Sequence, residues 1–290
     1  MPMLLVTGST GFVGRSLMRV LERADRPVRA YTGRINDPVS LREALRNVDC
    51  VVHLAGSETR DRVRLLNHVD VEGTERLLEE MARATVDRLV FLSRLNAEPA
   101  SMHALLRAKG QVERLVRHSG IPAVILRSAT LFGREDRFLN VIAGLAYWTW
   151  PAIWLPGGGQ VAMQPLWVED LARCLAAAVD REDLLGETLE LAGEERLRYR
   201  DIARHVLRTA GLNRLELGVT PKLVRPLSAL LFGWWQRPPV TRFFMDRFSA
   251  PEVTAVDSVY RHFGFRPGRM AQHTSYLRGP GGRWRLFRPG

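Results

Sequence analysis

The sequence predicts an α/β protein: a Rossmann-like, doubly wound parallel sheet followed by a small C-terminal lobe and a basic tail. Three observations carry that expectation. Short β-branched runs alternate with amphipathic helical patterns through the first two-thirds of the 290 residues. These runs are apolar throughout rather than alternating with polar residues, as strands are when helices cover both faces of a sheet. The first run also leads directly into a glycine turn that opens a helical pattern.

Taken in order, MLLVT, PVRAYT, CVVHL, RLVFLS and PAVILR read as the strands. Between them, GFVGRSLMRVLERA, SLREALRN, GTERLLEEMARA and HALLRAKGQVERLVRHSG read as helices, the last closing on Ser119-Gly120 before Pro122. In WVEDLA, Glu169 and Asp170 suit the start of a further helix, where acids complement the dipole. No internal repeat is present. The expected organisation is a dinucleotide-binding core over residues 1–133, shortened after the first helix. A C-terminal part over 134–275 contributes the last core elements and a smaller apolar, Trp-rich lobe, and a basic tail covers 276–290.

The pattern changes after Phe132. Asn140 to Val168 holds no charged residue but four tryptophans, Trp148, Trp150, Trp154 and Trp167. Pro151, Pro156 and Gly157–Gly159 interrupt it, which argues against a membrane-spanning helix. A second apolar piece, LVRPLSALLFGWW (Leu223–Trp235), has Arg225 and Pro226 inside it. Both pieces suit the core of a lobe or, together with the tail, a surface that docks on a membrane or a partner.

Charge and cysteines narrow the function classes. The formal net charge is +11, and from Ser258 onward there are seven arginines and no acid. A Gly/Pro/Arg tail of that kind is expected to order on something acidic, such as an anionic membrane surface. No nucleic-acid-binding motif accompanies the charge, so nucleic acid is not an expected partner. Cys50 and Cys174 lie in apolar runs and read as buried thiols; His53, His68, His103 and His118 lack metal-ligand spacing. MPMLLVTG runs straight into the glycine turn with no secretory signal. The expected location is cytoplasmic, peripheral on the cytoplasmic face of the inner membrane.

VTGSTGFVG places Gly8, Gly11 and Gly14 between a strand and a helix. The first permits the tight turn, the second a close approach of backbone to pyrophosphate, and the third close packing of helix on strand. The helix start, with Thr10, Phe12 and Val13, presents free N–H groups to phosphate.

The T-G-x-x-G-x-x-G spacing resembles the short-chain dehydrogenase/reductase superfamily, in its extended or atypical branch (NAD-dependent epimerase/dehydratase-like). The resemblance continues through DCVVHLAG, HVDVEGTERLLEEM (with Asp70 where asparagine is usual), LVFLSRLNA and the Lys109 helix. It implies that Leu54, Ala55 and Gly56 cover the cofactor's pyrophosphate and ribose, and that Ser93 and Lys109 stand at the nicotinamide end. FGREDRFLN, with SRLNA before it and QPLWVEDLA after it, resembles more narrowly the NAD(P)-binding accessory subunit of respiratory complex I and its bacterial relatives. That subfamily implies tight nucleotide binding and a role in assembly and structure.

Two departures shape the functional expectation. Where an acid usually binds the adenosine ribose, about twenty positions beyond the glycines, the sequence offers Arg29, Tyr31 and Arg34. An arginine suits a 2′-phosphate, so NADP(H) is preferred and NAD(H) remains open. Only one strand lies between the first helix and SLREAL, where the family usually has a strand, a helix and another strand, and GRINDPVSL resembles the family's G-D-L-x-D-P-x-S-L segment, with Arg34 for the aspartate near adenine. The shortening leaves open a loss of adenine binding altogether. The second departure is Leu105, four residues before Lys109, where active relatives carry the proton-transferring tyrosine; leucine has no proton to give. The expectation is therefore a non-catalytic NADP(H)-binding accessory or assembly subunit of a larger membrane-associated complex, with Ser93 and Lys109 as vestiges of catalysis. The rivals are an active NAD(P)H-dependent reductase or epimerase on a hydrophobic or nucleotide-sugar substrate, with Tyr31 or Tyr147 as donor, and a redox-sensing scaffold.

Overall fold

The computed structural model describes residues 2–58, 62–220 and 240–278. The chain runs β1 (Leu4–Thr7), α1 (Phe12–Arg23), β2 (Val28–Tyr31), α2 (Pro38–Ala44), β3 (Cys50–His53), α3 (Val63–Leu65), a π-helical stretch (Leu66–Glu72), α4 (Gly73–Arg83), β4 (Arg88–Arg94), α5 (Ala104–His118) and β5 (Ala123–Ser128). It continues through β6 (Leu131–Phe132), α6 (Leu139–Trp148), β7 (Ala152–Pro156), β8 (Ala162–Met163), β9 (Leu166–Trp167), α7 (Val168–Ala178) and β10 (Thr188–Leu191). Then come β11 (Leu197–Arg198), α8 (Tyr199–Ala210), β12 (Leu215–Val219), α9 (Arg242–Asp246) and α10 (Ser258–Phe263).

The chain divides into two compact units. The first comprises Met1–Glu58, Arg62–Ser128 and Val168–Leu191; the second comprises Thr59–Asp61, Ala129–Trp167 and Ala192–Gly290. The first is built on a six-stranded sheet in the order β10-β5-β4-β3-β1-β2, every pairing parallel. All five strands read from the sequence are in it. The sixth, β10, comes back from beyond the apolar segment, and only β2 lies outside β1, as the shortened segment requires. The chain leaves β1 for β2 on one side and returns to β3 on the other, so the strand order reverses at β1. Ligands of doubly wound sheets lie at the carboxyl ends of such a switch point.

Both sheet faces are covered. Leu5, Val51, Leu89, Phe91 and Ile125 pack with Leu41, Leu77, Met81, Val112 and Val116 of α2, α4 and α5. Leu17 and Leu21 of α1 and Leu171 and Leu175 of α7 are also buried, and α1 packs on α7. Burial of Leu-sized side chains on this scale stabilises by about 1.5–3 kcal/mol each. The helix starts at Pro38, ahead of the expected SLREAL, because Asp37 accepts from Val39 N at 3.1 Å and Ser40 N at 3.4 Å and so caps it. At the sheet edge, the Arg29 guanidinium donates to the carbonyls of Ala44 and Arg46.

The second unit contains short pairings: β6 with β9, β8 with β11, and β7 with β12. Its core gathers Phe132, Phe138, Ile142, Tyr199, Ile202, Val206, Phe244 and Phe248. The apolar stretch after Asn140 thus divides. Most of α6 enters this core, whereas Trp148, Trp150 and Trp154 are exposed. Asp136 organises the FGREDRFLN motif. Its Oδ1 accepts from Phe138 N at 2.7 Å, Leu139 N at 2.5 Å and Asn140 N at 3.2 Å, while its Oδ2 accepts from Gly133 N at 3.0 Å and Tyr276 Oη at 2.6 Å. One buried carboxylate therefore starts α6 and ties it to the end of the described chain. Leu223–Trp235 and the last twelve residues of the tail lie outside the described residues.

Candidate functional site

The site is built at the carboxyl edge of the first unit's sheet. Gly8 leaves β1 with φ +68°, and a Cβ there would stand 2.8 Å from Leu54 C and Ala55 N. That close approach is why VTG and HLAG meet. A Cβ on Gly14 would fall 2.2 Å from Gly8 O, so only glycine lets α1 pack onto the turn; Gly11 N donates back to Gly8 O at 3.0 Å. α1 begins at Phe12 with no side-chain cap and no acid in its first turn. Its first N–H groups are therefore left for an external acceptor. Ser9 Oγ is buried in the same turn with no hydrogen-bond partner among the described residues. A bare helix start, a cradle that side chains would fill and an orphaned hydroxyl together fit a dinucleotide pyrophosphate. Gly8, Gly11, Phe12, Val13 and Gly14 would hold it, with exposed Thr10 at the rim.

Beneath the turn lies a buried hydrogen-bond chain. Thr74 Oγ1 donates to the Asp70 carbonyl, so the 2.9 Å contact with His53 Nε2 must take its proton from the imidazole. His53 Nδ1 is then the acceptor for Thr7 Oγ1 at 2.6 Å, and Thr7 Oγ1 in turn accepts from Leu54 N at 3.3 Å. Burial, with a smaller contribution from the Lys109 charge, pushes the His53 imidazole down to about 3. His53 is thus a neutral Nε2–H imidazole that joins β1, β3 and α4 under the glycine turn.

Lys109 lies beside this chain. It is buried (9% exposed), and its Nζ is 3.3 Å from Asp70 Oδ1 and 5.5 Å from the centre of the Phe91 ring. Asp70 Oδ2 accepts from Ser57 N at 3.0 Å and Ser57 Oγ at 2.8 Å. A Cβ on Gly56 would come within 3.1 Å of Asp70 Oδ1 and 3.6 Å of Lys109 Nζ, so the glycine keeps the ammonium approachable. The contact is an ion pair rather than a hydrogen bond, Asp70 Oδ1 having no hydrogen-bond partner among the described residues, and the ammonium has donors to offer a ligand such as a ribose diol. Leu105, one turn earlier on α5, is 4% exposed and packed.

Ser93 does not join Lys109. Its hydroxyl is buried and donates to Glu113 Oε1 at 2.6 Å. Glu113 is also bound by Arg127 Nε at 2.8 Å, Arg127 Nη2 at 2.7 Å and Arg117 Nη2 at 2.9 Å. The next residue, Arg94, pairs with Glu58 at 3.2 Å. On the adenine side, Arg29 is committed to α2 and Tyr31 Oη donates to the Arg34 carbonyl at 2.8 Å. Burial raises the Tyr31 hydroxyl, partly offset by a hydrogen bond with Ser40. Tyr31 lies on β2, an edge strand of the sheet, whereas Lys109 lies on α5. The Arg34 side chain is exposed. Tyr147 lies on α6 of the second unit.

Sequence reasoning passed over Glu113, Arg127, Thr7, Thr74 and Ser57. The Glu113 signal was present: it lies four residues beyond Lys109 on the same helix, and an acid on a buried face requires a partner. Glu169 and Asp170 do begin α7, with Glu169 paired to Arg19 at 2.6 Å and Asp170 to Arg173 at 3.3 Å. Cys50 and Cys174 are buried free thiols, both pushed up by burial, Cys50 to about 12.

The profile of the NAD dependent epimerase/dehydratase family matches residues 4–192. The mitochondrial NADH-ubiquinone oxidoreductase 40 kDa subunit of Neurospora crassa is 28% identical over 240 residues, spanning 81% of this chain and 62% of the relative. The mitochondrial NADH dehydrogenase (ubiquinone) 1 alpha subcomplex subunit 9 of Rattus norvegicus is 26% identical over 286 residues, spanning 87% and 73%. This chain thus spans less than two-thirds of the Neurospora subunit's length. Among solved structures, the UDP-glucose 4-epimerase of Thermus thermophilus complexed with NAD has a TM-score of 0.71 at 19% identity, covering 94% of this chain and 96% of that one. The Citrobacter sp. triphenylmethane reductase complexed with NADP(H) has a TM-score of 0.74 at 16% identity, covering 95% and 99%. These two likenesses concern the fold. No helix among the described residues is long and apolar enough to cross a membrane. Over more than half its length, with the glycine turn and its supporting network in place, the chain belongs to the NAD dependent epimerase/dehydratase family.

Proposed function

We propose that this chain is an NADP(H)-binding protein that keeps its nucleotide without turning it over, serving as an accessory or assembly subunit of a larger membrane-associated complex at the cytoplasmic face of the inner membrane. The observation that carries the reading is the pairing of buried Leu105 with buried Lys109. The ammonium is in place to bind a ribose, while the residue one turn away has no proton to transfer. The hydroxyl of Ser93 is likewise occupied by Glu113. A bound dinucleotide would supply hydride chemistry; what these residues supply is binding and orientation. A tightly held ligand stabilises the fold in proportion to the logarithm of its concentration over its dissociation constant, a sufficient role for the cradle. The names of the two mitochondrial relatives favour the subunit reading.

The exposed Arg34 guanidinium favours NADP(H), through a fork that matches a 2′-phosphate. Arg34→Ala is expected to weaken NADPH about tenfold and leave NADH unchanged. The decisive experiment denatures the purified protein, quantifies the released nucleotide and assays the native protein with varied carbonyl substrates. Stoichiometric release without oxidation supports the proposal. Turnover that disappears in Lys109→Ala, with the fold intact, would establish the reductase or epimerase reading instead; the unshared protons of Lys109 are the observation that keeps it in play. The arginine tail is assigned to an anionic membrane surface on charge alone, and co-purification with membranes that is lost in high salt or on deletion of 278–290 would support it.

A further inference from the structure

We propose that the outer face of the β7–β12 pair is where the second unit lies against an anionic lipid bilayer. The proposal rests on the reading of the chain as a membrane-associated subunit and names what this lobe touches. β12 runs parallel to β7 with Leu217 opposite Trp154 and Leu215 opposite Ala152. Strand alternation turns Ile153 and Leu155 into the core and sends Trp154, Leu215 and Leu217 outward. Leu215 N donates to Pro151 O at 3.0 Å, which sets Leu215 beside the turn carrying Trp150, and Trp148 ends the helix before it. Exposures are 59% for Trp148, 77% for Trp150, 41% for Trp154, 65% for Leu215 and 47% for Leu217. Water-facing apolar side chains of this size on one short pairing call for a partner surface.

The choice of a bilayer follows from charge and size. Among the described residues the second unit holds 14 arginines against 9 Asp and Glu, whereas the first holds 21 Lys and Arg against 21 Asp and Glu, so the positive excess of the described chain belongs to the unit that carries the exposed tryptophans. On the pairing itself the one acid, Glu216, points the other way, held by Arg204 at 2.6 Å and Arg200 at 3.5 Å on α8. Arg214 borders the patch, its Nε donating to Ala146 O at 2.6 Å. Like charge opposes a second copy of the chain on this face. A stable protein–protein interface needs roughly 20–30 residues a side, far more than this patch. Shallow insertion of tryptophan and leucine beside a basic field suits the boundary of an anionic membrane, where neither signal suffices alone.

The test uses the full chain, with nucleotide content measured in every sample. Vesicles of phosphatidylcholine with phosphatidylglycerol, and of phosphatidylcholine alone, are compared by co-sedimentation. Tryptophan emission is followed with lipids brominated near the headgroup. The expected results are binding that prefers the anionic vesicles, quenching of emission, and partitioning weakened about tenfold in Trp150→Glu/Leu217→Glu. Both substitutions fall at exposed positions, and circular dichroism with unchanged nucleotide content verifies the fold. Should that variant misfold, the conservative Trp148→Phe/Trp150→Phe/Trp154→Phe variant replaces it: its remaining tryptophan emission should lose most of the quenching, and quenching as strong as in the natural sequence would overturn the proposal. Absence of vesicle binding, binding indifferent to the double substitution, or a patch-dependent protein complex without lipid binding would each overturn the proposal. Loss of nucleotide with vesicle binding intact would instead count against the nucleotide reading.

Discussion

The two units of this chain reach order by different routes. In the first, periodic apolar runs make a parallel sheet whose faces are both covered, charge is balanced, and buried polar groups sit in closed networks such as His53 with Thr7 and Thr74. In the second, short pairings and irregular backbone are held by single buried acceptors. Besides Asp136, Gln164 joins Gly193 O at 2.6 Å to Thr254 N at 2.9 Å, and Glu252 accepts from Thr130 N at 3.1 Å. Among the described residues, the excess positive charge and the exposed tryptophans belong to this unit alone. A unit ordered by repeating pattern is legible in sequence. A unit ordered by a few side chains is not.

The largest effect should come from the cradle. Gly14→Val sets a side chain against the Gly8 carbonyl, where even a Cβ has 2.2 Å. It is expected to cost about 4 kcal/mol or more and to abolish nucleotide binding, read by urea unfolding and by titration with NADPH. A folded Gly14→Val protein with unchanged affinity would show that the turn is not the binding element.

Next is acid sensitivity. The His53 imidazole has about 3 in the fold and an ordinary value of 6.5 when unfolded. Between these values the unfolded chain binds the proton and the native chain does not, so stability rises with pH through that window. The contribution is complete above about pH 6.5 and falls away toward about pH 3, by about 4–5 kcal/mol in all. His53→Gln should flatten this slope relative to the natural protein in unfolding experiments from about pH 7.5 to about pH 4. In the second unit His205 is also lowered, by burial first and Arg208 second, and its substitution should change the slope less because it is only partly buried.

Two buried carboxylates then allow a direct comparison. Arg127→Ala removes two of the hydrogen bonds that hold buried Glu113, and about 2–3 kcal/mol of stability should be lost. Asp136→Ala leaves four backbone N–H groups and a phenol without their acceptor, a loss of about 2–3 kcal/mol centred on the start of α6 and its tie to Tyr276. Hydrogen exchange should report the first change across β4, β5 and α5, and the second at Gly133, at the start of α6 and around Tyr276.

The same contrast accounts for what the sequence revealed. Strands β1 to β5 and helices α1, α2, α4 and α5 followed from apolar runs and amphipathic spacing, and Gly8, Gly11 and Gly14 from the turn they close. β10 was not read, because TLEL is four residues long and earns its place only by pairing with β5 some sixty positions back. The β7–β12 pairing is equally distant in sequence, so the run from Asn140 gave no hint that α6 is core while Trp150 faces water. Asp70 was visible as an exception to a pattern, but its partner Lys109 emerged only when two helices met. FGREDRFLN was recognisable as a string; that Asp136 is its working residue required the positions of the N–H groups it accepts from.

The smallest expected effect sharpens the comparison most. Tyr276→Phe keeps the ring and removes one hydroxyl that donates to Asp136 Oδ2 at 2.6 Å. A hydrogen bond to a buried charged group contributes about 1.5 kcal/mol, so stability should fall by about that amount. In an Asp136→Ala background the same change should have almost no effect, because the acceptor is already gone, and the coupling measured by the double-mutant cycle should approach the single loss. Nucleotide affinity should remain unchanged in all three variants, since this network belongs to the second unit and the cradle to the first. Additive losses would mean that Tyr276 acts through packing alone, and the account of the second unit as held by single acceptors would lose its clearest case.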